Sequence, residues 1–339
     1  MIRFSFLFLI AIIYLPGTLY GQCCAVGGGS PIAGDATTGV LKERQFELSS
    51  NFQFVNTEKF LTETKPEANY LDHFSSKYLY TKLAYGLSDR LTISLESGYW
   101  IDKTQTGLIE RDTYSSKGIA DLMIFPRYNV IQPGSGKFVK QLSIGLGFKI
   151  PLGSYNDSIG LVEPFSGSII YITKPLSVQA TSGSYDMLLN AFFSGKIPNT
   201  RLSLSASALH ILKGWNPISE KLGNYTGIGL QIGYPLWDVL NFSIQAKGEW
   251  IGKMEINPDI EMVRFLSYDP EATGSRKFFI APQLSFLFAD RFTIFIQSDI
   301  PVYQHVNKTQ IASQTEITAG IAYRFTLARD KEIPFDAAD

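Results

Sequence analysis

The sequence predicts an all-β fold: a single transmembrane antiparallel β-barrel of about 12 strands, with short periplasmic turns and long outer loops. Three observations carry that reading. Apolar residues recur at every second position, the segments that do so are long for strands, and the connections between them alternate between short and long. The last segment shows the first point. Ile317, Ala319, Ile321, Tyr323 and Phe325 alternate with Glu316, Thr318, Gly320, Ala322 and Arg324. A period of two places the first set on one face of a strand and the second on the other. An apolar face ending in two aromatics suits a strand with lipid outside and water inside.

In chain order, residues 1–21 read as a signal peptide. Arg3 is its lone positive charge, Phe4 to Leu15 form its apolar stretch, and Pro16-Gly17 break it before small Gly21. The stretch is too short to span a bilayer as a helix, and nothing downstream approaches ~20 unbroken apolar residues. Residues 22–43 read as a flexible, Gly-rich segment headed by adjacent Cys23 and Cys24. Two soft thiolates side by side suit copper(I) or zinc. They suit equally a strained adjacent disulfide in an oxidising compartment, or a plain mobile N-terminus. A lumen of intermediate width would admit the segment as a plug, entering from the periplasmic side.

The barrel occupies residues 44–325. Its strand candidates are Arg44–Val55, Lys77–Leu87, Leu91–Ile101, Gly118–Val130, Gln141–Leu152 and Ser184–Ser194. The second half supplies Arg201–Leu212, Thr226–Leu236, Leu240–Ile251, Lys277–Phe288, Phe292–Tyr303 and Thr315–Phe325. These lengths suit tilted spanning strands, whereas globular strands average ~5–6 residues. The even-to-odd links Ser88–Arg90, Trp237–Val239 and Ala289–Arg291 are very short, Gly195–Thr200 is somewhat longer, and Ile131–Lys140 fits least well. The odd-to-even links Asn56–Ser76, Asp102–Lys117, Gly153–Gly183, Lys213–Tyr225, Gly252–Arg276 and Gln304–Gln314 are longer. A soluble sandwich has no reason to sort its loops by parity. Residues 326–339 form a C-terminal tail.

Finer features agree. The turn Leu87-Ser88-Asp89-Arg90-Leu91-Thr92-Ile93 recurs in kind as Phe288-Ala289-Asp290-Arg291-Phe292-Thr293-Ile294. Pro151, Pro235 and Pro301 fall near strand ends, where a missing donor does least harm; Pro126 and Pro282 fall inside strands and count against those two assignments. Tyr99, Trp100 and Trp250 lie near the outer ends and Tyr128, Tyr234 and Tyr323 near the inner ends, the arrangement of two interfacial belts.

With 30 basic residues against 31 acidic ones, there is no basic footprint for nucleic acid. Three histidines and two cysteines offer little for a metal cage, and no cofactor is expected. Glycines 27–29 lack a following Lys-Ser/Thr, which excludes a phosphate-binding loop.

Four motifs follow one another in order: Gly118-Ile119-Ala120-Asp121-Leu122, Lys149-Ile150-Pro151-Leu152-Gly153, Gly183-Ser184-Tyr185-Asp186-Met187-Leu188-Leu189 and Asp299-Ile300-Pro301-Val302-Tyr303. Over roughly Phe46 to Phe325 the chain resembles the outer-membrane proteins labelled putative MetA-pathway of phenol degradation. The resemblance implies a barrel with a loosely assigned transport role, often for small aromatic or apolar compounds, and no established catalytic residues. The chain departs where Ala120 replaces the expected glycine and where the tail follows Phe325.

By parity, Glu47, Gln53, Glu96, Asp121, Arg127, Lys149, Asp186, Gln245, Lys247, Glu249, Asp299, Glu316 and Arg324 face the lumen. They line either a polar channel or a filled interior, since eight strands are just filled by side chains and sixteen leave a channel. Acids outnumber bases in this set, which favours neutral or cationic solutes. The expected function is passage of small molecules through the outer membrane of a Gram-negative bacterium. The partners are outer-membrane lipid, a small-molecule solute and the barrel-assembly machinery. A structural or adhesive barrel with a filled lumen is the alternative. A hydrolase ranks lower, because His210 stands on the opposite parity from Ser203, Ser205 and Ser207, and His73 and His305 lie in or near outer loops.

Overall fold

The computed structural model describes residues 39–68, 71–107, 113–131, 140–162, 167–257, 270–288 and 291–327. Twelve strands form one closed antiparallel barrel: β1 (Gln45–Thr57), β2 (Leu71–Ser88), β3 (Leu91–Gly107), β4 (Tyr114–Ile131), β5 (Lys140–Pro151) and β6 (Asp186–Lys196), then β7 (Ser203–Leu212), β8 (Tyr225–Pro235), β9 (Leu240–Ile251), β10 (Ser275–Phe288), β11 (Phe292–Val306) and β12 (Glu316–Thr326). Each pairs with the next, and β1 pairs with β12 from Gln45↔Thr326 to Phe54↔Ile317. No helix among the described residues is long and apolar enough to cross a membrane. A closed sheet needs none, because every backbone donor and acceptor finds its partner in a neighbouring strand. The segment expected to be a signal peptide, the chain as far as Thr38 with Cys23 and Cys24, and the tail from residue 328 lie outside the described residues.

The alternation in the sequence is the alternation of the wall. Leu48, Leu95, Ile144, Leu230, Ile296 and Ile321 are exposed outward, while Glu47, Glu96, Ser143, Gln231, Gln297 and Ala322 on the same strands are buried inward. Rings mark both rims. Trp250 meets Phe278 edge-on and Phe278 meets Tyr303 near the outer ends; Phe46, Tyr85, Phe325 and Tyr323 form a run at the inner end where the barrel closes. Trp100 corrects the sequence reading. It neighbours the outward Tyr99 and so points inward, buried against Tyr78 at a ring separation of 4.3 Å. Gly98 makes that possible, since a Cβ there would stand 1.7 Å from the Tyr78 hydroxyl.

Several strands outrun their expected outer ends. β2 begins at Leu71, β3 continues to Gly107, β4 begins at Tyr114 and β11 continues to Val306. Many of the added residues, such as Ser75, Thr104 and Ser115, are polar and keep the ladder going after the apolar alternation stops. The β3–β4 connection therefore shrinks to residues 108–113, shorter than the β4–β5 turn at 132–139. Loop length does not sort by parity at that point. Pro126 and Pro282 do lie inside β4 and β10, each beside a skipped stretch of one ladder: β4–β5 pairing jumps from Ile124↔Phe148 to Arg127↔Gly145, and β10–β11 from Ile280↔Ile300 to Gln283↔Gln297. A proline costs a ladder only on the side where its nitrogen would have donated.

Above the barrel, Phe60–Thr62, Lys65–Glu67 and Thr309–Ile311 form a three-stranded sheet, and Ser158–Val162 pairs with Ile169–Thr173. Val55, Phe60, Phe74 and Ile311 pack beneath the first of these.

Candidate functional site: the barrel lumen

Of the thirteen residues placed inside by parity, ten are buried and Gln53, Glu316 and Arg324 are partly buried, and their charges fall into three clusters. In the first, Lys82 stands 2.6 Å from Glu47, which also binds Arg324, while Arg127 lies 3.5 Å from Glu96 and donates to Ser94 Oγ at 3.0 Å. Tyr80 and Ser94 both donate to Glu96. In the second, Lys149 bridges Asp121 at 3.3 Å and Asp186 at 3.0 Å, and Lys213 reaches Asp186 at 2.9 Å. In the third, Lys247 bridges Asp299 at 2.8 Å and Glu249 at 3.0 Å, with Gln297 donating to Asp299, Tyr225 to Glu249 and Gln53 to Glu316. Gln245 packs against Gly229. Burying ions is tolerable only with partners and further hydrogen bonds, and these clusters supply both.

Lys82, Lys103, Lys213 and Lys277 are also buried inside. Lys82 has the even parity of Tyr78 and Tyr80 and was legible on β2. Lys213 follows the end of β7, where alternation no longer tells. Burial holds its pKa below the usual lysine value, with Asp186 opposing that shift. Once these lysines are counted, the acid excess read from the sequence disappears.

The outer mouth is occupied by the chain between β5 and β6. Val178, Gln179, Ala180, Thr181, Ser182 and Ser184 are buried there. Trp100 Nε1 donates to Ala180 O at 2.9 Å, Lys103 Nζ to Gln179 O at 2.8 Å, Lys149 Nζ to Ser182 Oγ at 2.7 Å, Asn216 Nδ2 to Ser182 O at 3.0 Å, and Thr181 Oγ1 to Asp121. This inward loop was read from sequence as an ordinary outer loop. Its run of small residues, Ala180 to Ser184, was the available signal, since only short side chains fit a narrow mouth.

The inner mouth receives the chain preceding β1. Leu41 is buried and its N–H donates to Thr92 Oγ1 at 2.8 Å. A Cβ on Gly39 would lie 3.1 Å from Gln141 Oε1, and Lys42 O lies against Gly86. The described chain thus begins within the lumen.

One wall differs from the rest. Phe125, Leu188 and Leu209 form a buried apolar cluster with Met123, Ile211 and Tyr225 packed on it, across strands β4, β6, β7 and β8. His210 stands on the opposite face of β7 and bonds Thr226 Oγ1 at 2.8 Å, while Ser205 and Ser207 face inward. The wall itself separates them.

No protein-family model matches the sequence, and no curated protein matches it. Among solved structures, the chain is similar to an outer membrane channel from Pseudomonas putida F1, with a TM-score of 0.63 at 12% identity over 88% of this chain and 100% of that one. The translocator domain of autotransporter NalP from Neisseria meningitidis superposes with a TM-score of 0.46 at 13% identity, over 84% of this chain and 90% of that one. The KdgM porin gives 0.40 at 7% identity, over 82% and 99%.

Proposed function

We propose that the chain is an outer-membrane channel for small apolar or aromatic solutes. The observation that carries this reading is the composition of the lumen. Its charges are gathered into clusters of mixed sign, which weakens the field available to select ions. The apolar side chains on the lumen side are Met123, Phe125, Leu188, Leu209, Ile211 and Tyr225, of which Phe125, Leu188 and Leu209 are buried, so a guest meets them as the interior parts. Burial of apolar area there favours an apolar guest by about 25 cal/mol per Å². The outward alternation and aromatic rims support residence in a membrane. The fold shared with the P. putida channel and the motif resemblance to the phenol-degradation family point the same way.

The test is uptake of a small aromatic by cells carrying the protein. Uptake above that of cells lacking it is expected, and Leu188→Ser should lower it several-fold while the barrel still assembles. Recovery of the protein as a soluble periplasmic monomer would refute the membrane placement. A filled structural barrel is the second reading, favoured by the burial of most inward side chains and by the inward loop. It predicts neither solute uptake nor conductance across a planar bilayer.

A further inference from the structure

The outward face of β7 to β11 changes character along one line near the outer ends of the strands. His210 stands opposite Thr226, Thr226 opposite Trp250, Trp250 opposite Arg276 and Arg276 opposite His305. Five consecutive strands thus each place one polar or aromatic side chain in a single register row. The next row toward the membrane is Ala208, Ile228, Gly248, Phe278 and Tyr303. Beyond it the face is aliphatic, as at Leu230, Ile280 and Ile300. Among the described residues, no aspartate or glutamate lies on the outward face of these five strands.

The row has the chemistry of an anion site. Arg276 is exposed, carries a fixed positive charge and presents paired planar donors that match a phosphate. Its ladder neighbours are the rings of Trp250 and His305 rather than acids. Lys77 at the outer end of β2 is the contrast, since Asp102 stands directly opposite it. His210 and Thr226 already bond each other at 2.8 Å, which leaves the open donors at the Arg276 end of the row. The surface beneath suits acyl chains. The Trp250 ring lies over Gly248, where a Cβ would come within 2.7 Å of it and 3.1 Å of the Phe278 ring. Phe278 in turn meets Trp250 at a ring separation of 5.5 Å and Tyr303 at 6.1 Å. Three rings therefore form one shelf under the cation. A lipid-side cation is costly at the midplane and tolerated near the interface, which puts Arg276 at headgroup height.

We propose that this face of the barrel binds a phosphorylated glycolipid of the outer leaflet, with Arg276 and His305 holding a phosphate and the Trp250–Phe278–Tyr303 shelf carrying acyl chains. The width of the row favours such a lipid. Four spacings of ~4.7–4.9 Å make it roughly 19 Å from β7 to β11, which suits a disaccharide head with several chains better than the head of a two-chain phospholipid. A neutral sugar amphiphile lacks the group that Arg276 recognises. The proposal depends on placement in the outer membrane and is independent of what passes through the lumen.

The experiment measures binding to the full-length protein in neutral detergent micelles, its fold checked by heat-modifiable migration. Bisphosphorylated lipid A is the probe; lipid A stripped of phosphate, phosphatidylglycerol and inorganic phosphate are the comparisons. Arg276→Gln with His305→Gln is expected to weaken binding of bisphosphorylated lipid A roughly tenfold or more, as loss of a charge-assisted contact does. Lipid A without phosphate should bind the parent and this variant alike. Arg201→Gln removes a cation from the inner rim, where it lies 6.0 Å from the Tyr234 ring centre, and should leave the affinity for bisphosphorylated lipid A unchanged. Equal affinity of the parent and the Arg276→Gln, His305→Gln variant for that probe would overturn the site, as would an equal loss in Arg201→Gln. Displacement of the probe by inorganic phosphate at comparable concentration would overturn the glycolipid as occupant and leave a bare phosphate site. Phosphatidylglycerol binding as tightly as the probe would overturn it too, leaving a general contact with anionic lipid.

Discussion

Lys149 shows what a single inward side chain does in this lumen. It lies between Asp121 and Asp186 and also donates to Ser182 of the inward loop. Lys149→Met leaves two buried carboxylates short of a partner, and breaking such a pair costs ~3–5 kcal/mol. The folded, heat-modifiable form of that variant should convert at a markedly lower temperature than the parent, and adding Asp121→Asn should recover part of the loss, because Asp186 keeps Lys213. Equal transition temperatures would show the cluster to be solvated. Parity in the sequence placed Lys149, Asp121 and Asp186 on one face, because side-chain direction on a strand follows position alone. It could not reveal that they meet, since the β4–β5–β6 registers that bring them together are set by long-range pairing. Trp100 is the converse case. Grouping it with Tyr99 by height ignored the face that its parity already declared.

At the scale of elements, strands were legible where lipid imposes alternation and illegible where water does not. The outer extensions of β2, β3 and β4 carry serines, threonines and lysines on both faces, so only pairing defines them. The facing of the membrane portion gives a direct test. Ile144→Arg and Ile244→Arg each put a cation on the lipid side, at a cost of ~2–4 kcal/mol near the midplane. Both should reduce the amount of assembled barrel in the membrane fraction, whereas Ile144→Val should not. The inward loop is the other element the sequence concealed, because its anchors come from β3, β4, β5 and the β7–β8 loop. Trp100→Phe removes the indole donor to Ala180 O while keeping a ring against Tyr78. Conductance should rise as the loop loosens, with assembly retained. An unchanged conductance would mean that Lys103 and Asn216 hold the loop without it.

At the scale of the whole molecule, both mouths are occupied by chain: the inward loop above, and Gly39 to Lys42 below. The segment before them lacks core-forming residues, and the sequence left open a plug, a metal or disulfide site and a mobile tail. Deleting Gln22–Gly39 should raise single-channel conductance without loss of assembly; conductance unaffected by the deletion would reject the plug. Changing Cys23 and Cys24 to serine should leave conductance nearly unaltered unless they hold a metal or a disulfide. The pairing of β1 with β12 has a further consequence, in the time order of biogenesis. Gln45 and Thr326 stand at opposite ends of the described barrel sequence, so the ladder that seals the cylinder can form only after the last strand has been synthesised. Until then the nascent sheet has two raw edges and an apolar outer face, the combination that invites edge-to-edge aggregation, and the closing contact is among the most non-local the chain can make. A barrel of this topology cannot mature piecemeal from its N-terminus. A chain truncated before Glu316 should accumulate as aggregate or be degraded rather than persist as an eleven-stranded remnant.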